Sequence, residues 1–287
     1  MRHKTYARKK RQSKHKRVVP YALVALLLAV ITVGSSEFLH VTFRQETSPP
    51  PPPITVPSQS LNTAIPPPPA PPTPQQPAHD YTIPPVQNGM VPVISRIPTK
   101  EPVVFLTIDD GITQLPGNLA AMQANHDVAT FFLVYRFIKN NPSYFVDLSK
   151  ATGSDIENHT YDHYLQTGLS YVQQQQDICK GADTDASLFG RRPILFRPPG
   201  GAYNTDTQKA AAVCGMQALI MWDATVNNGS LQYQRGRQLQ PGDVVLMHFR
   251  TTFTEDMNAF VAAEKQARLH TDLLENWLPP TTPNQHL

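Results

Sequence analysis

This chain of 287 residues is short of cysteine and tryptophan, with two of each, and its first seventeen residues contain no acidic side chain. Two cysteines exclude a disulfide-dense scaffold and a zinc site built from four thiolates. The missing acids make the formal net charge of +3 misleading: nine Lys or Arg fall in residues 1–17, leaving sixteen basic side chains against 22 acidic ones in the remainder. Val18–Gly34 has no charge at all over seventeen residues. That length stands at the lower limit for a membrane-spanning helix, and basic residues before such a run hold their side in the cytoplasm. The expectation is a basic cytoplasmic tail over 1–17 and a signal-anchor over 18–34, with everything after it outside the cell membrane. Small residues at Gly34-Ser35-Ser36 keep a cleaved, secreted form open. The tail alone would suit a nucleic acid, but the adjacent apolar run accounts for its charge. No nucleic-acid partner is expected.

Eighteen of the 29 prolines fall between Pro49 and Pro98, in a tract with few apolar residues to bury. Such a stretch forms neither helix nor central strand. Residues 35–98 therefore read as a disordered Pro-rich linker. Its proline-dense part behaves as a semi-rigid polyproline II spacer, reaching roughly 150 Å at about 3.1 Å per residue.

Residues 99–287 remain for one folded domain. Apolar runs alternate with helical patterns. Strands are expected at Val103–Ile108, Ala129–Leu133, Asp155–Asn158, Ile194–Phe196, Ala218–Met221 and Val244–Met247. Helices are expected at Leu115–Ala124, Pro142–Lys150, Tyr171–Phe189, Asp206–Cys214 and Glu255–Trp277. This alternation indicates an α/β fold with mostly parallel strands, a barrel among the possibilities. Active groups in such folds gather at the carboxyl ends of strands.

The first strand ends on two adjacent carboxylates, Asp109-Asp110. Burying unpaired carboxylates is costly, so the pair calls for a cation, a proton or a strand end. His159 and His163 follow the third strand, four residues apart. Two His and one carboxylate make an open zinc site with room for water, and the second carboxylate is then free to act as a base. Seen singly, each residue has a plainer reading: a turn aspartate, a surface histidine pair, an arginine paired with a carboxylate, a core histidine at 248. Their joint occurrence at successive strand ends favours a site.

Five segments in this order resemble the motifs of the polysaccharide deacetylase family, the NodB-homology group or carbohydrate esterase family 4. They are Thr107-Ile108-Asp109-Asp110-Gly111, His159-Thr160-Tyr161-Asp162-His163, Arg197-Pro198-Pro199-Gly200-Gly201, Trp222-Asp223 and Leu246-Met247-His248-Phe249. The resemblance implies a distorted, incomplete (β/α) barrel. It implies metal ligation by Asp110, His159 and His163, with Zn²⁺ as the expected ion and Co²⁺ or another divalent ion as alternatives. Asp109 would be the catalytic base, Arg197 would orient it, and His248 would be the general acid. The sequence departs from the pattern at Gly200, where the family usually has an aromatic groove wall; Tyr203 is the candidate replacement, beside Trp222 beneath the groove. Asp223 is the one carboxylate in the fourth segment that could tune His248.

The implied function is removal of acetyl groups, N-acetyl first, from a cell-envelope or extracellular polysaccharide such as peptidoglycan or chitin-type oligomers. A non-catalytic wall-glycan-binding protein and an O-acetyl (xylan-type) esterase are the alternatives. The expected partners are the acetylated glycan and the membrane, with the protein a monomer. Outside the membrane the two cysteines, Cys179 and Cys214, are expected to pair, with two buried free thiols as the alternative.

Overall fold

The structure is a computed structural model and describes His79 and residues 81–278. The basic tail, the apolar run over 18–34 and most of the Pro-rich tract lie outside these residues. Among the described residues no helix is long and apolar enough to cross a membrane.

In chain order the elements are β1 (Val93–Ile94), β2 (Val103–Asp110), α1 (Gly117–Gln123), β3 (Thr130–Leu133), α2 (Tyr135–Ile138), α3 (Ser143–Thr152) and β4 (Asp155–Asn158). They continue with α4 (Tyr171–Phe189), β5 (Leu195–Phe196), α5 (Thr205–Val213), β6 (Ala218–Ile220), β7 (Ala224–Asn227) and β8 (Ser230–Tyr233). The last are β9 (Val244–His248), α6 (Phe253–Ala267), β10 (His270–Thr271) and α7 (Leu274–Trp277). The strands form one curled sheet in the order β1-β6-β5-β4-β3-β2-β9-β7-β8, with β10 also on β2. Every pairing is parallel except the β7–β8 hairpin. The architecture is a half-barrel, in agreement with the expected incomplete (β/α) barrel.

β2 sits between β3 and β9, and all eight of its residues are buried. Its side chains alternate as strand geometry requires. Val104, Leu106 and Ile108 pack with Met122, Phe145 and Phe260 of the helices, while Val103 and Phe105 join Phe132, Leu195, Ile220 and Trp277 on the other face. Thr107 and Asp109 continue this second face toward the carboxyl end. The strand is thus a rigid mount whose inner row changes from apolar to polar along its length.

Local signals account for the long helix α4. Ser170 accepts from the Gln173 amide while the Gln173 side chain accepts from the Ser170 amide, a capping box, and Gly190 ends the helix at φ 76°. Cys179 on α4 and Cys214 at the end of α5 form the expected disulfide.

Two expectations need correction, and one element was missed. The folded part begins before residue 99: Val91, Ile94 and Ile97 are buried, and β1 pairs with β6. Proline density there did not prevent a two-residue edge strand, because Pro92 precedes it and needs no ladder donor. Glu255–Trp277 is not one helix. It breaks at Arg268, which adopts a left-handed φ of 57°, and the chain then pairs with β2 as β10 before turning into α7. The β7–β8 hairpin was not anticipated, although its turn, Asn228-Gly229 at φ 50° and 67°, is a strong short-range hairpin signal.

Candidate metal centre

Asp109 and Asp110 close β2, and strict alternation would send them to opposite faces. Asp110 instead adopts φ 78°, a conformation that costs a non-glycine residue free energy. The turn brings both carboxylates toward His159: its Nε2 lies 3.5 Å from Asp109 Oδ2 and 3.7 Å from Asp110 Oδ1. His163 Nε2 lies 3.2 Å from the same Asp110 Oδ1. Thr160 and His163, at φ 73° and 62°, share this left-handed strain. Three of the seven non-glycine residues with positive φ among the described residues therefore lie where the side chains converge.

The loop after β4 is held by its own polar contacts. Asn158 Oδ1 accepts from the Thr160 amide, the Thr160 hydroxyl accepts from the His163 amide, and Asp177 on α4 accepts from the amides of Tyr161 and Asp162. Gly181 lets α4 approach this closely, since a β-carbon there would stand 2.6 Å from Asn158 Oδ1. Asp177 carries no motif signal, and sequence reasoning missed it.

Arg197 is fully buried and spends its guanidinium on four acceptors. Nη1 donates to Asp109 Oδ1 and to Thr107 Oγ1, both at 2.7 Å, while Nε and Nη2 donate to the Ile220 and Met221 carbonyls. The guanidinium also lies over the Phe132 ring at 4.3 Å. Its backbone carbonyl is 2.7 Å from His159 Nδ1. If Nδ1 carries the proton, that contact directs the Nε2 lone pair into the site. One residue thus fixes both a carboxylate oxygen and an imidazole.

Burial pushes the His159 pKa down to about 3, against the pull of Asp110, so the imidazole is neutral. Its approach to two carboxylates is then not an ion pair; it is a set of lone pairs facing a common point. Burial would push Asp110 up, yet the approach of His163 at 3.2 Å, together with His248, holds it below the ordinary carboxylate value. Burial pushes Asp109 up although Arg197 and His248 pull it down. His248 ends β9 directly beside Asp109 in the sheet register. Burial lowers its pKa, with Asp109 and Asp110 opposing.

The fit to a cation rests on the donors themselves. Asp110, His159 and His163 each offer an atom within 4.8 Å of the others, and Asp110 Oδ1 is buried without a hydrogen-bond donor. A nitrogen–nitrogen–oxygen set of this kind suits Zn²⁺ with an open position.

Trp222 lies half-buried beside Arg197, 5.7 Å from the guanidinium, and packs against Gly201. Gly200, at φ 62°, and Tyr203, 37% exposed, stand on the outer rim. Asp223 does not face His248. It pairs with Arg235 and, at 3.7 Å, with Arg96. The carboxylates that act on His248 are Asp109 and Asp110.

Residues 96–219 match the family model described as polysaccharide deacetylase. The chain is 40% identical over 158 residues to an uncharacterized protein of Streptomyces coelicolor, an alignment that covers 54% of this chain and 62% of that relative. It is 30% identical over 163 residues to a peptidoglycan-N-acetylglucosamine deacetylase of Bacillus cereus, covering 53% of this chain and 75% of the relative. The chain belongs to the polysaccharide deacetylase family. Among solved structures of the family, it resembles a mutant of a Bacillus anthracis pseudoenzyme of carbohydrate esterase family 4, one with restored enzymatic activity. The TM-score is 0.56 at 25% identity, over 65% of this chain and 71% of that one. A deacetylase fold is therefore established, and Asp109, Asp110, His159, His163, Arg197 and His248 converge at its strand ends.

Proposed function

We propose that this protein hydrolyses N-acetyl groups on a cell-envelope glycan, using a divalent ion, Zn²⁺ by preference, held by Asp110, His159 and His163. The observation that carries the reading is the unequal treatment of two adjacent aspartates. Asp109 is tied to Arg197 through one oxygen, and Asp110 presents an undonated oxygen to two imidazoles. When bound, the ion supplies Lewis acidity toward the acetyl carbonyl and acidifies the attacking water.

The chain's own residues perform the proton work. Asp109 Oδ1 is fixed by Arg197, which leaves Oδ2 to take the proton of the attacking water. A pKa raised by burial makes Asp109 a better base than an exposed aspartate. His248, in its protonated form, delivers a proton to the departing amine nitrogen, which is a poor leaving group until then. The products are acetate and a free amino sugar. Likeness to a peptidoglycan-N-acetylglucosamine deacetylase supports peptidoglycan as the substrate class, with chitin-type oligomers and O-acetyl xylan as alternatives. The basic tail and apolar run over 1–34 support a membrane-tethered, extracytoplasmic enzyme.

The test uses the full chain in mild detergent, stripped with a chelator and reloaded with Zn²⁺. Acetate release from N-acetylglucosamine oligomers and from peptidoglycan is expected to return with the metal. It should fall by a factor on the order of 10²–10⁴ in Asp109→Asn, the range for loss of a general base. Zinc binding with no acetate released from any N- or O-acetyl glycan would reject the enzyme in favour of a glycan-binding protein.

A further inference from the structure

Exposed apolar side chains that stand together, rather than singly, can mark a binding surface. Leu165 is 59% exposed and Tyr164 is 50% exposed, and the two directly follow the candidate ligand His163. Their loop is not a loose one. Gln166, the next residue, is fully buried and donates to the Tyr164 carbonyl and to Asp177 Oδ2. The Leu169 amide closes the turn on the Gln166 carbonyl. Leu165 is thus exposed between two fixed neighbours.

The side chain leans across to a second loop. A β-carbon at Gly200 would stand 3.0 Å from Leu165 Cδ2, so the space beside Gly200 is already occupied by the leucine. Gly200 belongs to the turn that follows Arg197, and its φ of 62° suits glycine. The loops after β4 and β5 therefore share one apolar wall, contributed by Leu165. Exposed Ile112 stands two residues past Asp110, and the amide of its neighbour Thr113 donates to the Phe249 carbonyl, next to His248. Candidate ligands Asp110 and His163 are thus each followed within two residues by an exposed apolar side chain on hydrogen-bonded backbone.

We propose that Leu165 is a specificity-determining residue that packs on the C–H face of a substrate pyranose ring. This rests on the glycan substrate proposed above and names the side chain that grips it. A leucine can cover the apolar face of a sugar without a hydrogen-bonding group of its own, and a fixed loop loses little freedom when it does so.

The experiment titrates the zinc-loaded full chain with the tetramer of N-acetylglucosamine by calorimetry, and separately measures zinc affinity. Leu165→Ala is expected to weaken tetramer binding about tenfold, the effect of uncovering one leucine-sized apolar contact. Leu165→Met should restore most of it. Zinc affinity should not change, and Val213→Ala, which trims an equally exposed side chain on α5, should bind the tetramer as the unchanged chain does. Equal binding by Leu165→Ala, no binding by the unchanged chain, or a parallel loss of zinc affinity would each overturn the proposal. Acetate release is scored independently. Release with a KM untouched by Leu165→Ala rejects the role of Leu165 alone. Leu165-dependent binding without acetate release rejects only the deacetylase reading.

Discussion

Two sets of carboxylates are buried in this domain, and they are handled in opposite ways. Asp109 and Asp110 face Arg197, His159 and His163 at the open end of the strands. Glu157, two residues before His159, faces Arg191 and the amides of Ile194 and Leu195, while Glu275 on α7 accepts from the Thr130 hydroxyl. Burial raises the pKa of Glu157 to about 7 and that of Glu275 well above its ordinary value, Glu157 adding to the rise of Glu275. In the first set, Asp110 is instead held below the ordinary value by its imidazole neighbours. The physics is the same in both places: a carboxylate taken out of water needs a partner. The second set meets the need with an arginine, backbone amides and proton uptake, and α7 closes over it. The first set leaves one oxygen undonated at an open face, which is what a cation requires.

Breaking the first set should have the largest effect. Arg197→Met strands Asp109 in a fully buried position and frees the Ile220 and Met221 carbonyls. Removal of one partner of a buried pair costs about 3–5 kcal/mol, so the urea midpoint should drop sharply and acetate release should vanish. Adding Asp109→Asn to Arg197→Met should recover part of the stability and none of the activity. If the single variant unfolds at the same urea concentration as the unchanged chain, the pair is not the keystone described here.

Much of the first set was legible in the sequence, and little of the second was. Asp109, Asp110, His159, His163, Arg197 and His248 lie at the ends of apolar runs, where strand geometry forces them to one rim. Their roles could be read because parallel strands put sequence-distant ends in register. Glu157 and Glu275 sit inside elements; Glu157 finds its partners where α4 leads into β5, and Glu275 finds its own only where α7 folds back. That return depends on Arg268 leaving the helix, which no glycine or proline announces. The link between Leu165 and Gly200 was hidden for a similar reason: it joins two loops 35 residues apart through a space visible only when both are placed. Asp223 misled because adjacency to Trp222 suggested the site, whereas Arg96 and Arg235 draw its carboxylate elsewhere.

The comparison also predicts which set answers to metal. Zinc should raise the unfolding free energy by about 2.7 kcal/mol when free ion exceeds its dissociation constant a hundredfold, because the folded form alone presents the assembled donors. Asp110→Asn should abolish that gain in a thermal-shift titration. Glu157→Gln should leave it intact, since no atom of Glu157 belongs to the donor group. A zinc-induced shift that survives Asp110→Asn would place the ion elsewhere.

The smallest effect separates the sets by pH. Glu157 has a folded pKa of about 7 against 4.5 for the free side chain, so the folded chain keeps this proton longer than the unfolded one does. Its contribution to stability is full below about pH 4.5 and is lost as pH rises through 7. Stability should therefore fall from pH 5 to pH 8. Glu157→Gln keeps an oxygen for the Ile194 and Leu195 amides but cannot titrate, so it should flatten the fall by on the order of 1 kcal/mol. The slope should not disappear, because Asp127 and Glu264, raised to about 6 and about 7 by burial, titrate in the same window. Urea midpoints of the two chains, measured without zinc at half-unit steps, should lie together at low pH, where Glu157 is protonated and Gln is its neutral likeness, and should separate toward pH 8. Parallel curves would mean that Arg191 holds Glu157 ionised throughout, and that Glu157, like Asp110, keeps its charge when buried.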